Sequence, residues 1–446
     1  MSSYLNRYAE PEAALVSCLS GDWGQVVVIP ACRELGTLEG ALASLKRAAT
    51  KLEKATLAIV VVNARAQSPP DVHFDNMALL EKWRLRMTRS ITLMGGVFTL
   101  GAISKDVDLL LVDRASPNRH LPDGQGVGLA RKIGCDIALA LHQSDQVSSP
   151  WIWSTDADVI LPRDYLSAPL AAPVGTSAVT LAFVHQPEKD QLSRAACVLY
   201  DLSLRYYALG LASAGSRYAF HTVGSTLVIG AEQYAKVRGF PKRLAGEDFY
   251  LLNKLAKLGP VFRASNTPLV LSGRRSDRVP FGTGPAVSRL ATSSASSGVE
   301  EMAFELYNPE VFNALRRWHE ELRRLPSSGE AERCLSALGA VLVDAGASVM
   351  EAASLIESLG ATKAVNAAVR ASSKPSVRQR HLDTWWDGFK SLKFVHGLRA
   401  RCLPSLSWSR ALNETSWFEQ EVGAHSEEAQ RLLMARERAL LTGPSW

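Results

Sequence analysis

The stretch Trp-Ile-Trp-Ser-Thr-Asp-Ala-Asp-Val-Ile-Leu-Pro, residues 151–162, decides how the rest of the chain is interpreted. An apolar, aromatic run leads directly into Asp156 and Asp158, two carboxylates spaced i, i+2, as at the end of a buried strand. Carboxylate oxygens suit Mg²⁺ or Mn²⁺, and such a cation would neutralise a bound phosphate or diphosphate. The alternative is a strand-end turn, where aspartate is common because its side chain bonds the backbone.

The composition is that of a globular protein with more than one domain. The 446 residues suit two hydrophobic cores, and 47% of them are hydrophobic. The formal net charge of +6 fits an anionic ligand or surface but is too small to indicate nucleic-acid binding. Because the sequence has neither a long apolar run nor a signal-peptide core, it predicts a cytoplasmic protein. The six scattered cysteines, without a Cys-x-x-Cys pair, argue against a zinc site and a disulfide framework.

Strand and helix patterns alternate in the first two thirds of the chain. Near-continuously apolar strands are predicted at 25–30, 57–62 and 108–113 and at the Asp-Ala-Asp segment, with helices at 37–52, 76–88 and 126–142. Further on, the patterns predict strands at 176–184 and 225–229, and helices at 190–211, 231–237 and from Gly246 to Leu258. This order predicts an α/β fold with a doubly wound, mainly parallel sheet and a ligand crevice at the strand carboxyl ends.

The C-terminal third is predicted to be mostly helical. Helical spacing covers 309–324, 329–345, 347–358, 362–371, 378–400 and 425–441, and the small polar residues 292–297 mark a boundary before it. We therefore predict a catalytic domain at 1–295, with halves at 24–160 and 161–295, and a helical region at 300–446.

Five motifs in a fixed order resemble family 2 glycosyltransferases. They are Val26–Pro30 with Glu34, the strand ending at Asn63, Gly128–Lys132, Thr155–Asp158, and Gly246–Asp248. The resemblance covers residues 24–285. It implies a GT-A-like fold, a nucleotide-diphosphate-sugar donor, a hydroxyl acceptor and a divalent cation, Mn²⁺ or Mg²⁺.

The resemblance also implies a role for individual residues. In the donor site, Pro30 and Glu34 would shape the base and ribose pocket, Asn63 would face the base, and Arg131 and Lys132 would lie near the donor. Asp156 would face the ribose or the metal, and Asp158 would bind the metal that bridges the diphosphate. On the acceptor side, Asp248 would be the general base, with Glu247 beside it.

The chemistry of sugar transfer needs such groups. Charge develops on the leaving diphosphate, and the acceptor hydroxyl has a high pKa that a positioned carboxylate base overcomes. A helix N-terminus lowers the pKa of Asp248, whereas neighbouring Glu247 raises it. A single displacement assisted by Asp248 implies inversion at the anomeric carbon. A retaining transferase on the same fold, a nucleotidyltransferase and a non-catalytic sugar-nucleotide or partner-binding module are the alternatives.

The chain departs from the family pattern at several positions. Arg33 and Lys132 stand where the family often has Asn, and the segment between Asn63 and Leu109 is unusually long. The choice between uridine and guanosine nucleotides is therefore open. No His lies between Gly246 and Pro285, so no third metal ligand is assigned.

Three further features have two interpretations each. The segment Gly273–Arg278, which carries Arg275 and Arg278, is a lid over the donor diphosphate or a solvated basic loop. His221 faces the acceptor or is structural. The basic, aromatic segment His381–Arg401 packs on its own protein or lies peripherally on an anionic membrane face. The acceptor itself, a saccharide, lipid or small molecule, is not determined by these patterns.

Overall fold

The structure is a computed structural model that describes residues 1–50, 52–265, 267–276, 280, 282–293, 302–418, 425–441 and 443–444. Its contacts divide the chain into two compact units, Met1–Ser193 with Thr222–Arg289, and Arg194–His221 with Leu290–Trp446. Within those described ranges, no helix has both the length and the hydropathy needed to cross a membrane. The domain boundaries predicted at residues 160, 295 and 300 stay predictions. The contacts group Arg194–His221 with the C-terminal unit.

The regular elements are bounded as follows. The strands are β1 (Gln25–Ala31), β2 (Thr56–Asn63), β3 (Thr88–Leu93), β4 (Phe98–Ala102), β5 (Val107–Arg114), β6 (Trp151–Ser154), β7 (Ala178–Thr180), β8 (Phe183–Pro187), β9 (Leu227–Gly230), β10 (Val261–Arg263), β11 (Leu269–Gly273), β12 (Glu305–Leu306), β13 (Leu406–Ser407) and β14 (Gly443–Pro444). The α-helices are α1 (Ser2–Tyr8), α2 (Leu38–Ala49), α3 (Pro70–Arg86), α4 (Val127–Gln143), α5 (Gln191–Ser213), α6 (Ala231–Lys236), α7 (Glu247–Leu255), α8 (Thr283–Ser293), α9 (Glu310–Ser328), α10 (Ala331–Asp344), α11 (Val349–Leu359), α12 (Ala361–Ala371), α13 (Pro375–Trp385), α14 (Gly388–Arg401), α15 (Trp408–Asn413) and α16 (Ser426–Leu441).

One large sheet organises the first unit. Its strands lie in the order β10-β7-β9-β6-β1-β2-β5-β4-β3, and β9 and β4 run against the direction of the others. The apolar strands β1 and β2 have buried side chains along nearly their whole length, as expected for strands covered on both faces. The predicted α/β class with a mainly parallel sheet and a helical C-terminal region is confirmed.

The long segment after Asn63 contains a helix and an antiparallel hairpin. The helix α3 begins earlier than predicted, at Pro70, because proline suits the first turn of a helix. The strands β3 and β4 then pair with each other, and β4 adds to the sheet beside β5. We did not predict this hairpin, since β3 is almost entirely exposed and carries no buried face.

The helix α4 lies unusually close to its neighbours. A Cβ atom at Gly134 would come within 2.3 Å of Val28 Cγ1, and one at Gly128 within 2.5 Å of the Pro241 carbonyl oxygen. Ala130, between them, is fully buried. The small residues of the Gly-x-x-x-Ala-Arg pattern therefore let α4 approach the sheet, and this packing fixes where Arg131 projects.

The second unit has its own aromatic core. Trp318 and Phe312 of α9 are completely buried, and Phe312 packs against α5 where Gly210 leaves room for its ring. The single helix predicted over 378–400 is two helices, because Asp387 caps α14 by accepting a hydrogen bond from the Lys390 amide at 3.1 Å.

Within that unit a buried ionic cluster joins α5 to α16. The Arg205 guanidinium bonds Asp201 at 2.8 Å and also pairs with Glu437, which in turn contacts His221 Nε2 at 2.6 Å. Burial raises the pKa of Glu437, but the His221 and Arg205 contacts outweigh it and hold that pKa at about 2. These contacts favour the structural interpretation of His221.

Candidate functional site

The carboxyl ends of neighbouring strands form the candidate site. Because β1, β2 and β6 are parallel, their ends meet at one edge of the sheet. The loop that carries Glu34 follows β1, and Asn63 is the last residue of β2. The segment with Asp156 and Asp158 follows β6, where the Thr155 amide still donates to the Val28 carbonyl at 3.0 Å.

Arg131 links the β6 end to the start of α7. Its Nε donates to Glu247 Oε1 at 3.0 Å, and its Nη2 to Asp156 Oδ1 at 2.5 Å. Its Nη1 donates to Ser154 Oγ at 2.8 Å. The side chain is only 3% exposed. One guanidinium thus bonds the first carboxylate of the Asp-x-Asp segment and the first of the Glu-Asp pair.

The carboxylates around Arg131 stabilise its charged form even though the side chain is buried. Burial alone would lower its pKa, but the charges of Asp156, Glu247 and Asp248 outweigh that effect and raise the pKa. Gly224 also packs on the guanidinium, since a Cβ atom there would lie 2.7 Å from Nη2. In the structure, the hydrogen-bond donors of Arg131 hold the carboxylates of Asp156 and Glu247, and its predicted place near the nucleotide-sugar donor stays a prediction.

Asp248 lies in the first turn of α7. Gly246 precedes that helix with φ of +75°, a left-handed conformation that glycine adopts without steric cost. The pKa of Asp248 is raised from 3.8 to about 7 by burial and by the charge of Glu247, against the Phe249 amide, Arg131 and the Gly224 amide. Partial solvent access remains at the residue. The sequence indicates opposing effects of Glu247 and the helix N-terminus, whereas the structure adds burial as the largest cause of the raised pKa of Asp248.

A second arginine, Arg274, which the sequence does not single out, pairs with the carboxylates of Glu34 and Asp158. Arg274 directly follows β11, and its Nη2 pairs with Glu34 Oε1 and lies 3.1 Å from Asp158 Oδ2. The Glu34 side chain is 7% exposed and that of Asp158 is 18% exposed. The sequence signal was the Gly-Arg-Arg run, but spacing alone does not say which arginine turns inward.

The acidic residues present fit a divalent cation only in part. The described residues include no group of three or more His, Cys, Asp or Glu side chains placed to hold a metal. Asp156 and Asp158 supply two hard carboxylates, and Mg²⁺ commonly uses one or two carboxylates with water and substrate phosphates. The pair therefore fits a cation completed by the donor's own phosphate oxygens. An oxygen of each carboxylate is engaged by an arginine, Arg131 or Arg274.

Asn63 and Pro30 lie at the carboxyl ends of β2 and β1, next to the candidate site. Asn63 Nδ2 donates to the Ala31 and Val61 carbonyl oxygens, each at 3.1 Å, and Pro30 is a buried residue within β1. Asn76 bonds both the Asn63 carbonyl and the Arg33 amide, at 2.9 Å each. Arg33 has φ of +60°, a left-handed backbone conformation that Asn tolerates better than Arg does. The residue that departs from the family pattern therefore stands at a strained backbone position.

Lys132 and Arg275 point to other partners. The buried Lys132 ammonium donates to Tyr4 Oη at 2.6 Å and to Asp136 at 2.9 Å, so we no longer assign it to the donor site. Arg275 bonds Ser193 Oγ at 2.6 Å and Asp190 at 3.1 Å. Arg278 lies outside the described residues. Of the described arginines in this segment, Arg274 faces Glu34 and Asp158 whereas Arg275 faces Ser193 and Asp190, and the lid interpretation stays a prediction.

Comparisons with known proteins give remote structural likeness. No family model matches the chain, and no curated protein matches it. The similar solved structures include S. aureus TarS 1-349, at 12% identity and a TM-score of 0.35, with 81% of this chain and 91% of that chain covered. TarS 1-349 in complex with UDP-GlcNAc gives 13% identity and a TM-score of 0.36 over the same shares of both chains. Full-length S. aureus TarS, at 13% identity and a TM-score of 0.35, is covered over 55% of its length and 80% of this chain. At these values we base the function on the chain's own residues.

Proposed function

We propose that this protein is a glycosyltransferase that moves a sugar from a nucleotide-diphosphate sugar to an acceptor hydroxyl. The observation that carries the proposal is the Arg131 side chain, which bonds both Asp156 and Glu247. It ties the donor-side and acceptor-side acidic motifs together, although Arg131 and Glu247 are 116 residues apart in the sequence. A sugar-transfer site needs both groups at a fixed separation, because one stabilises the leaving group while the other activates the incoming hydroxyl.

Asp248 is the general base in this proposal. A carboxylate whose pKa is raised to about 7 accepts a proton far better than an ordinary aspartate, yet stays partly ionised near neutral pH. It would take the proton of the acceptor hydroxyl as the oxygen attacks the anomeric carbon and the bond to the diphosphate breaks. Attack opposite the leaving group inverts the anomeric configuration. Retention in the product would instead indicate the alternative mechanism.

The donor side combines carboxylates with Arg274. Asp156 and Asp158 would hold Mn²⁺ or Mg²⁺, which supplies charge stabilisation for the leaving diphosphate when it is bound. Glu34, which shares the Arg274 guanidinium with Asp158, would accept hydrogen bonds from a ribose hydroxyl. Arg274 pairs with Glu34 and Asp158 in the free protein and would donate to phosphate oxygens when a donor enters.

The positive charge of Arg274 next to Asp158 should affect the affinity of the site for both the metal and the nucleotide sugar. A cation at Asp158 and the Arg274 guanidinium compete for the same carboxylate oxygen. We therefore propose that metal binds weakly to the free protein and more tightly with the nucleotide sugar, whose phosphates offer Arg274 a second partner.

A thermal-shift screen of UDP-sugars and GDP-sugars, with and without Mn²⁺, tests the proposed function. A donor stabilises the folded state by mass action, by about 2.7 kcal/mol at a hundredfold excess over Kd. We expect one nucleotide series to raise the melting temperature of the wild type and to do so less with Asp158→Ala. A chain stabilised by no nucleotide sugar under either condition is not this enzyme.

A further inference from the structure

A groove in the second unit has no role in the proposed reaction. It has a volume of about 580 Å³ and is lined by residues from the α11 end, α12, α13 and the start of α14: Leu359, Gly360, Lys363, Ala364, Ala367, Val377, Arg380, His381, Thr384, Trp385 and Lys390. This volume is in the range of small-molecule sites in proteins.

The groove exists because small residues face a neighbouring helix. Ala364 and Ala367 of α12 and Val377 of α13 line it with short side chains that do not fill the space between them. Trp385 is held in place at one end, where its Nε1 donates to the Leu359 carbonyl oxygen at 3.1 Å. The floor is therefore apolar and its aromatic wall is oriented by a hydrogen bond.

The groove is surrounded by basic side chains. Lys363, Arg380, His381 and Lys390 line it, and no Asp or Glu does. Over the residues that the structure describes, none of these four side chains forms an ion pair or a side-chain hydrogen bond.

Charged side chains near the groove that do not line it have polar partners. Arg378, on the same helix α13, donates to the Ser372 carbonyl at 2.8 Å and to the Pro326 carbonyl at 3.1 Å, and Lys393 bonds the Ser358 carbonyl. Asp383, also on α13, accepts from Gln379 at 2.8 Å and pairs with Arg217 at 3.9 Å. Arg378 and Lys393 thus have backbone partners, whereas the side chains of the four basic residues that line the groove have no polar partner among the described residues.

We propose that this groove binds one acyl chain and the phosphate headgroup of an anionic phospholipid. An apolar floor suits a hydrocarbon chain, because burying each methylene contributes about 0.8 kcal/mol. The lysines and Arg380 are suited to the headgroup phosphate, to which arginine gives bidentate hydrogen bonds. An acidic peptide would match the charges, but the groove is lined by helices and offers no strand edge for a peptide backbone, and its apolar floor suits a hydrocarbon chain. The site would hold the protein at a membrane surface whether or not the proposed transferase function is correct.

Vesicle co-sedimentation of the full chain tests this site. The vesicles contain phosphatidylcholine alone or phosphatidylcholine mixed with phosphatidylglycerol. The wild type should bind only the anionic vesicles. Lys363→Glu with Arg380→Glu should lower the bound fraction at least about tenfold, since each basic residue near an anionic surface contributes about 1 kcal/mol. Arg333→Glu, an exposed residue of the same unit with an 82% exposed side chain, is the control and should bind as the wild type does.

A second variant separates the groove from general surface charge. Ala364→Trp fills the apolar floor while keeping every basic residue, so it should weaken vesicle binding and leave thermal stability nearly unchanged. Competition with glycerol phosphate and with poly-glutamate identifies the ligand class. Equal vesicle binding by all variants, no anionic binding by the wild type, or displacement by either soluble anion alone would overturn the proposal.

Discussion

Arg131 Nε lies 3.0 Å from Glu247 Oε1, joining a helix packed under the sheet to the first turn of α7. Both side chains are almost completely buried, at 3% and 5% exposure. A buried ion pair of this kind does little for stability compared with apolar packing, but removing one partner leaves a buried charge without compensation. The pair therefore serves to fix the position of the Glu-Asp motif relative to Asp156.

Substituting Arg131 should reduce stability strongly. Arg131→Met keeps much of the volume but leaves Glu247 without its guanidinium, and we expect a loss of about 3–5 kcal/mol in the free energy of unfolding. Urea denaturation measures the loss. Lys236→Ala, which breaks the exposed pair with Glu232, is the control and should cost less than about 1 kcal/mol. Equal losses in the free energy of unfolding for the two variants would contradict the structural role that we assign to Arg131.

The pH dependence of turnover should follow Asp248. Its pKa is raised to about 7, and only the ionised form accepts a proton. The value of kcat/KM should therefore fall about tenfold for each pH unit below about 7 and level off above it. A pH–rate profile measures this limb. If the profile of the wild type stays flat from about pH 5 to 7, Asp248 is not the base.

The same residue should oppose folding when it is ionised. Because burial raises its pKa from 3.8 to about 7, the folded state binds more protons than the unfolded state between those values, and stability falls as pH rises through them. Asp248→Asn should raise the free energy of unfolding near pH 8 by about 1–4 kcal/mol, at about 1.4 kcal/mol per pKa unit, with the gain vanishing near pH 4. Urea titrations at both pH values check it.

Removing Arg274 should change metal binding and donor binding in opposite directions. Arg274→Ala takes a cation away from Asp158, so Mn²⁺ should bind the free protein about tenfold tighter, equivalent to about 1.4 kcal/mol of repulsion. The KM for the donor should rise. Electron paramagnetic resonance of free Mn²⁺ reports the first effect independently of activity. Arg275→Ala, which loses contacts to Ser193 and Asp190 instead, is the matched control. Unchanged Mn²⁺ affinity in Arg274→Ala would contradict the competition.

Most of the sheet could be predicted from the sequence because its strands are apolar on both faces. The continuous apolar pattern in β1, β2 and β5 requires burial on both faces. That requirement predicts both that these segments are strands and that they lie in the interior of a sheet. The exposed strand β3 lacked that signal, and so did the break between α13 and α14, which depends on one capping aspartate.

The positions of candidate-site residues that directly follow a strand or begin a helix could be predicted from the order of the elements. The partners of long side chains could not, because several partners lie within their reach. Asp156, Asp158 and Asp248 follow directly from strand and helix ends. The orientation of a long side chain depends on tertiary contacts, so the partners of Arg131, Lys132 and Arg275 within the protein could not be predicted from their positions in the sequence. Arg274, adjacent to Arg275, takes the inward position instead.

The most direct test of the central claim is the release of nucleoside diphosphate from nucleotide sugars by the purified protein, measured with Asp248→Asn as the matched variant. We expect the wild type to turn over one nucleotide-sugar series, and Asp248→Asn to bind the same donor but turn it over at least about 100-fold more slowly. Turnover by Asp248→Asn equal to that of the wild type would contradict the account, as would a wild type that releases no nucleoside diphosphate from any donor.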